Sequence, residues 1–182
     1  MAAAQPTLRV ATPDDAGRIE ALMKASAAAL FPAYYDEQQV ESGVRLVAEV
    51  DQVLLEDGTY FVFEAGGELV ACGGWSRRAR LHAGSVEHDE DARLLDPATE
   101  PAKVRAMFTR GDWTRRGLGR RILEACEAAA RAEGFRELSL LATLPGVPLY
   151  RACGFEAVGE ETAMLTDGVP MECVAMRRAI AQ

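Results

Sequence analysis

The sequence predicts an α/β protein of the α+β type, built as a mixed sheet with helices on its faces. Short apolar runs typical of strands alternate along the chain with segments of helical periodicity, in the order βααβββαβαββ. The chain has 182 residues, of which 49% are hydrophobic. Because that length supports one sizeable core and does not require two, we expect a single domain over residues 1–182.

The first third of the chain is expected to contain one strand and two helices. Residues 8–11 form the strand, and Thr12 and Pro13 then open a helix as its N-cap and first helical residue. A second helix is expected over residues 33–50, where valines recur on one face. The apolar positions expected to be buried in these helices are Ile19, Leu22, Met23, Leu30, Val40, Val44 and Val47.

A hairpin and a long loop follow. Residues 59–65 and 68–75 have strand character and are joined by two glycines, which adopt the positive φ angles that a tight hairpin needs. Residues 76–102 lack periodicity, carry a run of acidic residues at 87–91 and end in a segment bounded by prolines. A loop of this length inside a compact domain is typical of a lid, a binding loop or an insertion.

The second half returns to regular structure and ends in a second hairpin. A glycine stops its long helix, and a Thr-Asp-Gly turn joins its last two strands. The expected strands are residues 104–109, 138–142, 155–164 and 171–176, and the expected helices are residues 117–133 and 147–153.

Composition excludes several classes of function. A net charge of −8 argues against nucleic-acid binding, which requires clustered lysine and arginine, and favours a small or basic partner. No apolar run reaches the roughly 18 residues of a membrane span, and residues 1–6 lack the features of a signal peptide, so we expect a cytoplasmic protein. The cysteines are widely spaced in apolar stretches, which predicts buried free thiols rather than a metal site or disulfides; they are Cys72, Cys126, Cys153 and Cys173.

The most informative segment is residues 108–123, in which a strand passes through a short arginine and glycine loop into a helix. A helix N-terminus offers unsatisfied N–H groups and partial positive charge, and suits a phosphate or pyrophosphate. Gly117 and Gly119 remove side chains that would keep an anion from the backbone. The P-loop pattern GxxxxGK[ST] is absent and GxGxxG fails after the second glycine. Positive charge is concentrated here by Arg115, Arg116, Arg120 and Arg121.

The loop resembles the [Q/R]-x-x-G-x-[G/A] pyrophosphate motif of the GCN5-related N-acetyltransferases, and the resemblance extends over residues 7–177. It implies a mostly antiparallel central sheet whose splayed strands hold acetyl-CoA as cosubstrate, and it implies no metal. Phe108 and Thr109 would end the strand that pairs with the pantetheine arm, and a backbone N–H near them would hold the oxyanion. The cofactor-binding residues implied are Phe108, Thr109, Thr114, Arg115, Arg116, Gly117, Leu118, Gly119 and Arg120.

The catalytic residue comes from the same resemblance. Residues 148–155 are similar to the family's (F/L)Y-x-x-x-GF signature, and Tyr150 takes its general-acid position. A phenol with a pKa of about 10 is able to protonate the departing CoA thiolate. The sequence departs from the family at Thr114, where glutamine or arginine is usual, at Thr143, where asparagine is common, and at Gly111, where proline is common.

The implied reaction is direct transfer of an acetyl group from acetyl-CoA to a primary amine of a small molecule. A protein or peptide amine, a non-catalytic acyl-CoA-binding module and a plain structural domain stay open as alternatives. No general base is assigned: Glu64 is a candidate strand carboxylate, and His82 and His88 titrate in a useful range but lie in the long loop.

Substrate recognition is expected from the first two helices, the long loop and the final hairpin. Acidic residues there would attract a cationic amine, although a solvated face explains them equally well; they are Asp36, Glu37, Glu41 and residues 87–91. Tyr34 and Tyr35 either line the acceptor channel or pack in the core. Homodimers are frequent in the family, so the resemblance also allows a homodimer.

Overall fold

The computed structural model describes residues 5–80 and 92–181, and one sheet runs through these two ranges. His82, His88 and the acidic residues within 87–91 lie outside the described residues. The strands are β1 (Thr7–Val10), β2 (Tyr60–Ala65), β3 (Glu68–Ser76), β4 (Ala102–Thr109), β5 (Glu137–Thr143), β6 (Glu156–Met164) and β7 (Pro170–Ala179). The helices are α1 (Ala16–Leu30), α2 (Glu37–Leu46), α3 (Gln52–Glu56), α4 (Leu118–Ala132) and α5 (Val147–Ala152).

The sheet is mixed and mostly antiparallel, as expected. Its strand order is β1-β2-β3-β4-β5-β7-β6, and both predicted hairpins, β2 with β3 and β6 with β7, pair antiparallel. The exception is β4 with β5, which pair in parallel through Ala102 with Leu138 and Lys103 with Ser139. In the part of the chain that the structure describes, no pairing joins these two strands beyond Lys103, so their later halves diverge.

Two apolar clusters cover the two faces of the sheet. Along β2, Tyr60 and Val62 belong to the cluster packed under α1, α2 and α3, which we call the α1 cluster, whereas Phe63 and Ala65 belong to the one under α4 and α5, the α4 cluster. Successive strand residues point to opposite faces, so the clusters lie on opposite sides of the sheet. The divergence of β4 and β5 therefore opens the layer that separates them.

A bulge bends β4 next to this divergence. Arg105 pairs with Gly74 and Phe108 pairs with Cys72, so that two residues of β4 oppose one of β3. The first of them, Ala106, has a φ of 52°, a left-handed conformation that costs an alanine about 1 kcal/mol. Its carbonyl accepts a hydrogen bond of 2.8 Å from the buried Tyr60 hydroxyl, which helps to hold the bulge.

The second predicted helix, over residues 33–50, is wrong in its extent. Its residues 37–46 form α2, and a further helix, α3, begins only after residue 50. An aspartate starts each of these two helices. Asp36 accepts a hydrogen bond of 2.8 Å from the Gln39 N–H and begins α2. Asp51 accepts one of 3.2 Å from the Val53 N–H and begins α3, which the sequence analysis missed. Residues 47–51 are consequently an irregular connection.

The ends of the predicted long loop are ordered against each other. Arg78 and Leu94 form an isolated antiparallel bridge, and the Leu95 N–H donates to the Arg77 carbonyl at 2.7 Å. The prediction of an irregular loop over residues 76–102 is thus wrong at its edges, where β3 runs to Ser76 and β4 begins at Ala102. Pairing of Ser76 with Lys103 and of Ala102 with Leu138 extends the strands to these residues, although their sequence lacks strand periodicity.

The remaining global expectations concern cysteines and membrane spans. All four cysteines are free and buried, as predicted. Among the described helices, none is both long enough and apolar enough to cross a membrane. The described residues also contain no group of three or more histidine, cysteine, aspartate or glutamate side chains placed to hold a metal ion.

Candidate active site

A cavity of about 110 Å³ lies where β4 and β5 diverge, and we call it the interstrand cavity. Its lining includes Val104, Leu140 and Tyr150 of the α4 cluster together with Leu165 and Met171 of the α1 cluster. Since those clusters lie on opposite faces of the sheet, the cavity reaches from one face toward the other.

Tyr150, on α5, borders the cavity on the α4 side. Its side chain is buried, and its ring packs edge-to-face on Phe155 with centroids 5.7 Å apart. None of the hydrogen bonds formed by the described residues uses its hydroxyl. Burial, with the thiols of Cys126 and Cys153, raises the pKa of Tyr150 above its usual range. The phenol is therefore protonated at neutral pH and has a proton to donate.

The end of β4 forms another wall. Phe108 lines the cavity, and the Thr109 carbonyl accepts a hydrogen bond of 2.6 Å from Ser26 of α1. Beyond Lys103, the edge of β4 that faces β5 has no strand partner among the described residues, so backbone groups there that no side chain engages are open to a ligand. Thr143 at the end of β5 also lines the cavity.

The predicted phosphate loop, residues 110–117, joins β4 to α4, and we call it the arginine loop. Arg115 and Gly117 have φ angles of 59° and 78°, and Gly117 is the N-cap of α4. The first intrahelical bond runs from the Arg121 N–H to the Gly117 carbonyl at 3.1 Å, which leaves the N–H groups of residues 118–120 without helical partners. The Thr114 hydroxyl is used locally, since it donates to the Gly111 carbonyl at 3.1 Å. The loop thus presents backbone donors, as an anion site requires.

The arginines of this loop and of the first turn of α4 differ in how firmly they are held. Arg116 lies over the Trp113 ring at 4.4 Å, and Arg121 lies over the Phe63 ring at 4.6 Å. Arg120 donates to the Ala152 carbonyl at the end of α5 at 3.3 Å. Their side chains are exposed, as is that of Arg115. Positive charge therefore surrounds the first turn of α4, beside open backbone donors.

A family model described as the acetyltransferase (GNAT) family matches residues 20–155, which is more than half of the chain. The protein belongs to the GNAT acetyltransferase family. The matched range includes β4, the arginine loop, α4 and α5. No curated protein matches the sequence significantly.

Solved structures agree with the GNAT fold. A GCN5-related N-acetyltransferase from Rhodopseudomonas palustris is 20% identical, with a TM-score of 0.73 and 98% of each chain covered. PaiA N-acetyltransferase from Thermoplasma acidophilum, solved with coenzyme A, is 13% identical, with a TM-score of 0.66 and coverage of 96% of this chain and 99% of that one. The acetyltransferase YncA from Salmonella typhimurium, solved with acetyl-CoA, is 13% identical, with a TM-score of 0.61 and coverage of 98% and 95%. At these identities the likeness establishes the fold.

Within this GNAT fold, the predicted residues occupy adjoining places. Phe108 and Tyr150 line the interstrand cavity, whereas the residues of the arginine loop lie outside its lining. Gly119 connects the two parts, because a Cβ there would lie 2.7 Å from the Leu149 Cδ2 atom of α5. This glycine allows α4 to pack against the helix that carries Tyr150. Sequence reasoning considered only space for an anion and missed this packing role.

Two aromatic candidates and one acidic candidate lie elsewhere. The Tyr35 hydroxyl donates to the Glu172 carbonyl at 2.8 Å and accepts from the Leu144 N–H at 2.9 Å, which gives this buried residue a packing role. Tyr34 is exposed, and neither tyrosine lines the interstrand cavity. Glu64 forms an ion pair of 2.9 Å with Arg9 and is also absent from the lining.

Three charged residues of this GNAT protein were missed by sequence reasoning. Among the described residues that line the cavity, Glu49 is the one with a carboxylate and Arg105 the one with a cationic side chain. Arg105 forms an ion pair with Asp51, and their side chains are only 3% and 2% exposed. For Asp51 the sequence did contain a signal, because an aspartate shortly before apolar residues is typical of a helix N-cap.

Proposed function

We propose that this GNAT acetyltransferase moves the acetyl group of acetyl-CoA to a primary amine of a small molecule by direct transfer. The observation that carries this proposal is the buried Tyr150, whose hydroxyl lacks a hydrogen-bond partner among the described residues and which borders a cavity lined by residues from both faces of the sheet. The family and its fold support the same chemistry.

The arginine loop fits the phosphates of acetyl-CoA. The N–H groups of Leu118, Gly119 and Arg120 would hold the pyrophosphate, and Arg115 and Arg116 would neutralise it. Among the described residues, no atom of a more distant residue comes within 4 Å of the position where a Cβ of Gly117 would lie, and Gly117 is exposed, so the N-cap is accessible. The neighbours from Thermoplasma acidophilum and Salmonella typhimurium, which were solved with coenzyme A and acetyl-CoA, support this assignment.

Further contacts with acetyl-CoA are proposed for Thr114 and for the end of β4. Thr114 would adjoin the phosphates, and the open edge of β4 at Phe108 and Thr109 would hydrogen-bond the pantetheine arm. We propose a reaction without a metal, as the family resemblance implies.

Acetyl-CoA, when bound, supplies an acetyl group activated as a thioester. The amine nitrogen forms the new C–N bond while the C–S bond breaks, and Tyr150 donates its phenolic proton to the sulfur that leaves. The amine loses one proton to water, and Tyr150 recovers one from water, so the protons balance. A backbone N–H on the open edge of β4 near Phe108 would stabilise the negative charge that develops on the carbonyl oxygen.

The test has two steps, on the same purified protein. Calorimetric titration with acetyl-CoA should show saturable binding, and thiol release from acetyl-CoA should then depend on added small primary amines. Release that occurs with peptide amines and not with small amines would replace the small-molecule acceptor by a protein acceptor. Binding without release under any amine would favour an acyl-CoA-binding module, and absence of binding would refute the proposal.

We further propose that the chain is one domain and acts in the cytoplasm, which the four free buried cysteines support. Fractionation of cells that express the protein would test the location. The homodimer stays a prediction, which light scattering would test.

A further inference from the structure

The end of the interstrand cavity on the α1 side has its own chemical character. Val47, Leu165 and Met171 give it an apolar wall, and Glu49 adds a carboxylate. Glu49 is exposed, so this end of the cavity meets solvent at a negative charge. Tyr150 and the α4 cluster border the opposite end. A molecule that enters from the α1 side therefore meets Glu49 and this apolar wall.

A buried ion pair fixes the position of Glu49. Residue 49 lies in the irregular connection between α2 and α3, two residues before Asp51. Asp51 caps α3 through the Val53 N–H and also pairs with Arg105 of β4. Since both charged groups are almost wholly buried, the pair ties this connection to the strand that walls the cavity. Glu49 is thereby held at the cavity rather than on a loose loop.

The charges also exclude one class of acceptor. A carboxylate on the carbon that bears the amine would enter beside Glu49 and be repelled by it. Arg105, the cation among the described lining residues, already has Asp51 as its ion-pair partner. An aliphatic ammonium group, by contrast, has the charge opposite to that of Glu49, and its alkyl chain is able to pack against the apolar wall.

We propose that Glu49 binds an aliphatic ammonium group of the acceptor, and that the acceptor is an alkylamine without a carboxylate beside its amine. The inference rests on the proposed function and narrows its substrate class. The ammonium bound is either the amine that reacts, which then loses its proton on moving inward, or a second ammonium on the same chain. The chemistry that Glu49 recognises is the same in both cases.

The test compares two pairs of acceptors in the thiol-release assay: pentylamine with 2-aminohexanoic acid, and 1,5-diaminopentane with lysine. The members of each pair differ by one carboxylate, and pentylamine lacks the second ammonium of diaminopentane. A kcat/KM for pentylamine similar to that for diaminopentane would place the reacting amine at Glu49, and the wild type should then use pentylamine about tenfold or more better than 2-aminohexanoic acid. A lower kcat/KM for pentylamine would place the second ammonium there, and the wild type should then use diaminopentane about tenfold or more better than lysine.

Three substitutions make the test specific. Glu49→Gln should lower kcat/KM for diaminopentane about tenfold or more, mainly through KM, and should shrink the discrimination against the acceptor that carries the carboxylate. Glu49→Asp keeps the carboxylate and should keep the preference. Glu56→Gln removes the same charge from an exposed position on α3 outside the cavity lining, and should change kcat/KM by less than about twofold.

The outcomes separate this inference from the proposed function. Acetyl-CoA titrations should give equal affinity for the wild type, Glu49→Gln and Glu56→Gln. Normal acetyl-CoA binding with a preference for the acceptor that carries the carboxylate, with equal losses in Glu49→Gln and Glu56→Gln, or with no acetylation of either alkylamine would overturn the inference alone. Failure of the wild type to bind acetyl-CoA would overturn the proposed function and the inference with it.

Discussion

Tyr150 has a buried ring and a hydroxyl that has no hydrogen-bond partner among the described residues, and the residue borders the interstrand cavity. A core tyrosine with a packing role only, such as Tyr35, uses its hydroxyl fully. The two residues therefore differ in the property that matters for proton donation. This contrast supports Tyr150 as the acid independently of its place in a motif.

Replacement of Tyr150 by phenylalanine keeps the ring against Phe155 and removes the proton. We expect kcat to fall by about 10²- to 10⁴-fold, the usual contribution of a general acid, with acetyl-CoA affinity unchanged. Steady-state thiol release and calorimetric titration measure the two quantities. A Tyr150→Phe protein with unchanged kcat would show that another group, or water, protonates the sulfur.

The raised pKa of Tyr150 sets the pH dependence of the same step. Because burial favours the neutral phenol, Tyr150 stays protonated to a pH above the usual tyrosine value of about 10. The wild-type kcat should therefore show no loss from deprotonation of this acid up to about pH 10. A pH profile of kcat with a descending limb near pH 8, absent from Tyr150→Phe, would contradict the assignment.

At the scale of elements, the arginine loop allows binding to be separated from folding. Arg115 is exposed and holds a left-handed φ of 59°, a conformation that asparagine tolerates better than most residues. Arg115→Asn should keep the thermal midpoint while weakening acetyl-CoA binding by about three- to tenfold through loss of one phosphate partner. Arg136→Asn, at an exposed arginine beyond the end of α4, is the matched control and should change neither. Equal acetyl-CoA affinity in the two variants would exclude Arg115 from the site.

The pair of Asp51 and Arg105 joins two elements, and its loss should be costly. Asp51→Asn leaves the Arg105 charge buried, and breaking such a pair costs about 3–5 kcal/mol. Chemical denaturation should show this loss of unfolding free energy. A control, Glu20→Gln, breaks the exposed ion pair with Lys24 on α1 and should cost about 0.5 kcal/mol or less. A cost for Asp51→Asn as small as the control would mean that the pair does not secure the connection carrying Glu49.

How far the sequence predicts the elements depends on whether the decisive interaction is local. The hairpin of β2 and β3 was predictable because its strand alternation and its turn lie within a few residues. The break between α2 and α3 was missed because the valine spacing continued past Leu46, while the capping by Asp51 competes only weakly with that pattern. The position of Glu49 at the cavity depends on a pair between residues 51 and 105, which no local pattern contains.

The site itself was predicted unevenly for the same reason. The loop before α4 and the Tyr150 segment are contiguous motifs, so their residue types and spacing were visible. The divergence of β4 from β5 is a relation between strands that are distant in sequence, and only the family resemblance predicted it. Gly119 was noticed, yet its contact with Leu149 is tertiary and was not foreseen.

At the scale of the whole molecule, one sheet separates two cores, and the proposed ligand would touch elements that belong to both. Binding at β4, α4 and α5 should therefore stabilise the protein as a unit rather than one half of it. Because the same sheet carries both clusters, thermal unfolding of the free protein should be a single cooperative transition, as the single-domain interpretation requires.

Acetyl-CoA at about 100 times its dissociation constant should add about 2.7 kcal/mol to the unfolding free energy. For a chain of this size, that corresponds to a rise in Tm of about 5–10 °C in that one transition. Differential scanning calorimetry with and without acetyl-CoA measures both features, and Arg115→Asn should show a smaller rise at the same ligand concentration. Two separate transitions, of which acetyl-CoA moves only one, would mean that the two faces of the sheet unfold independently and that the ligand contacts a single face.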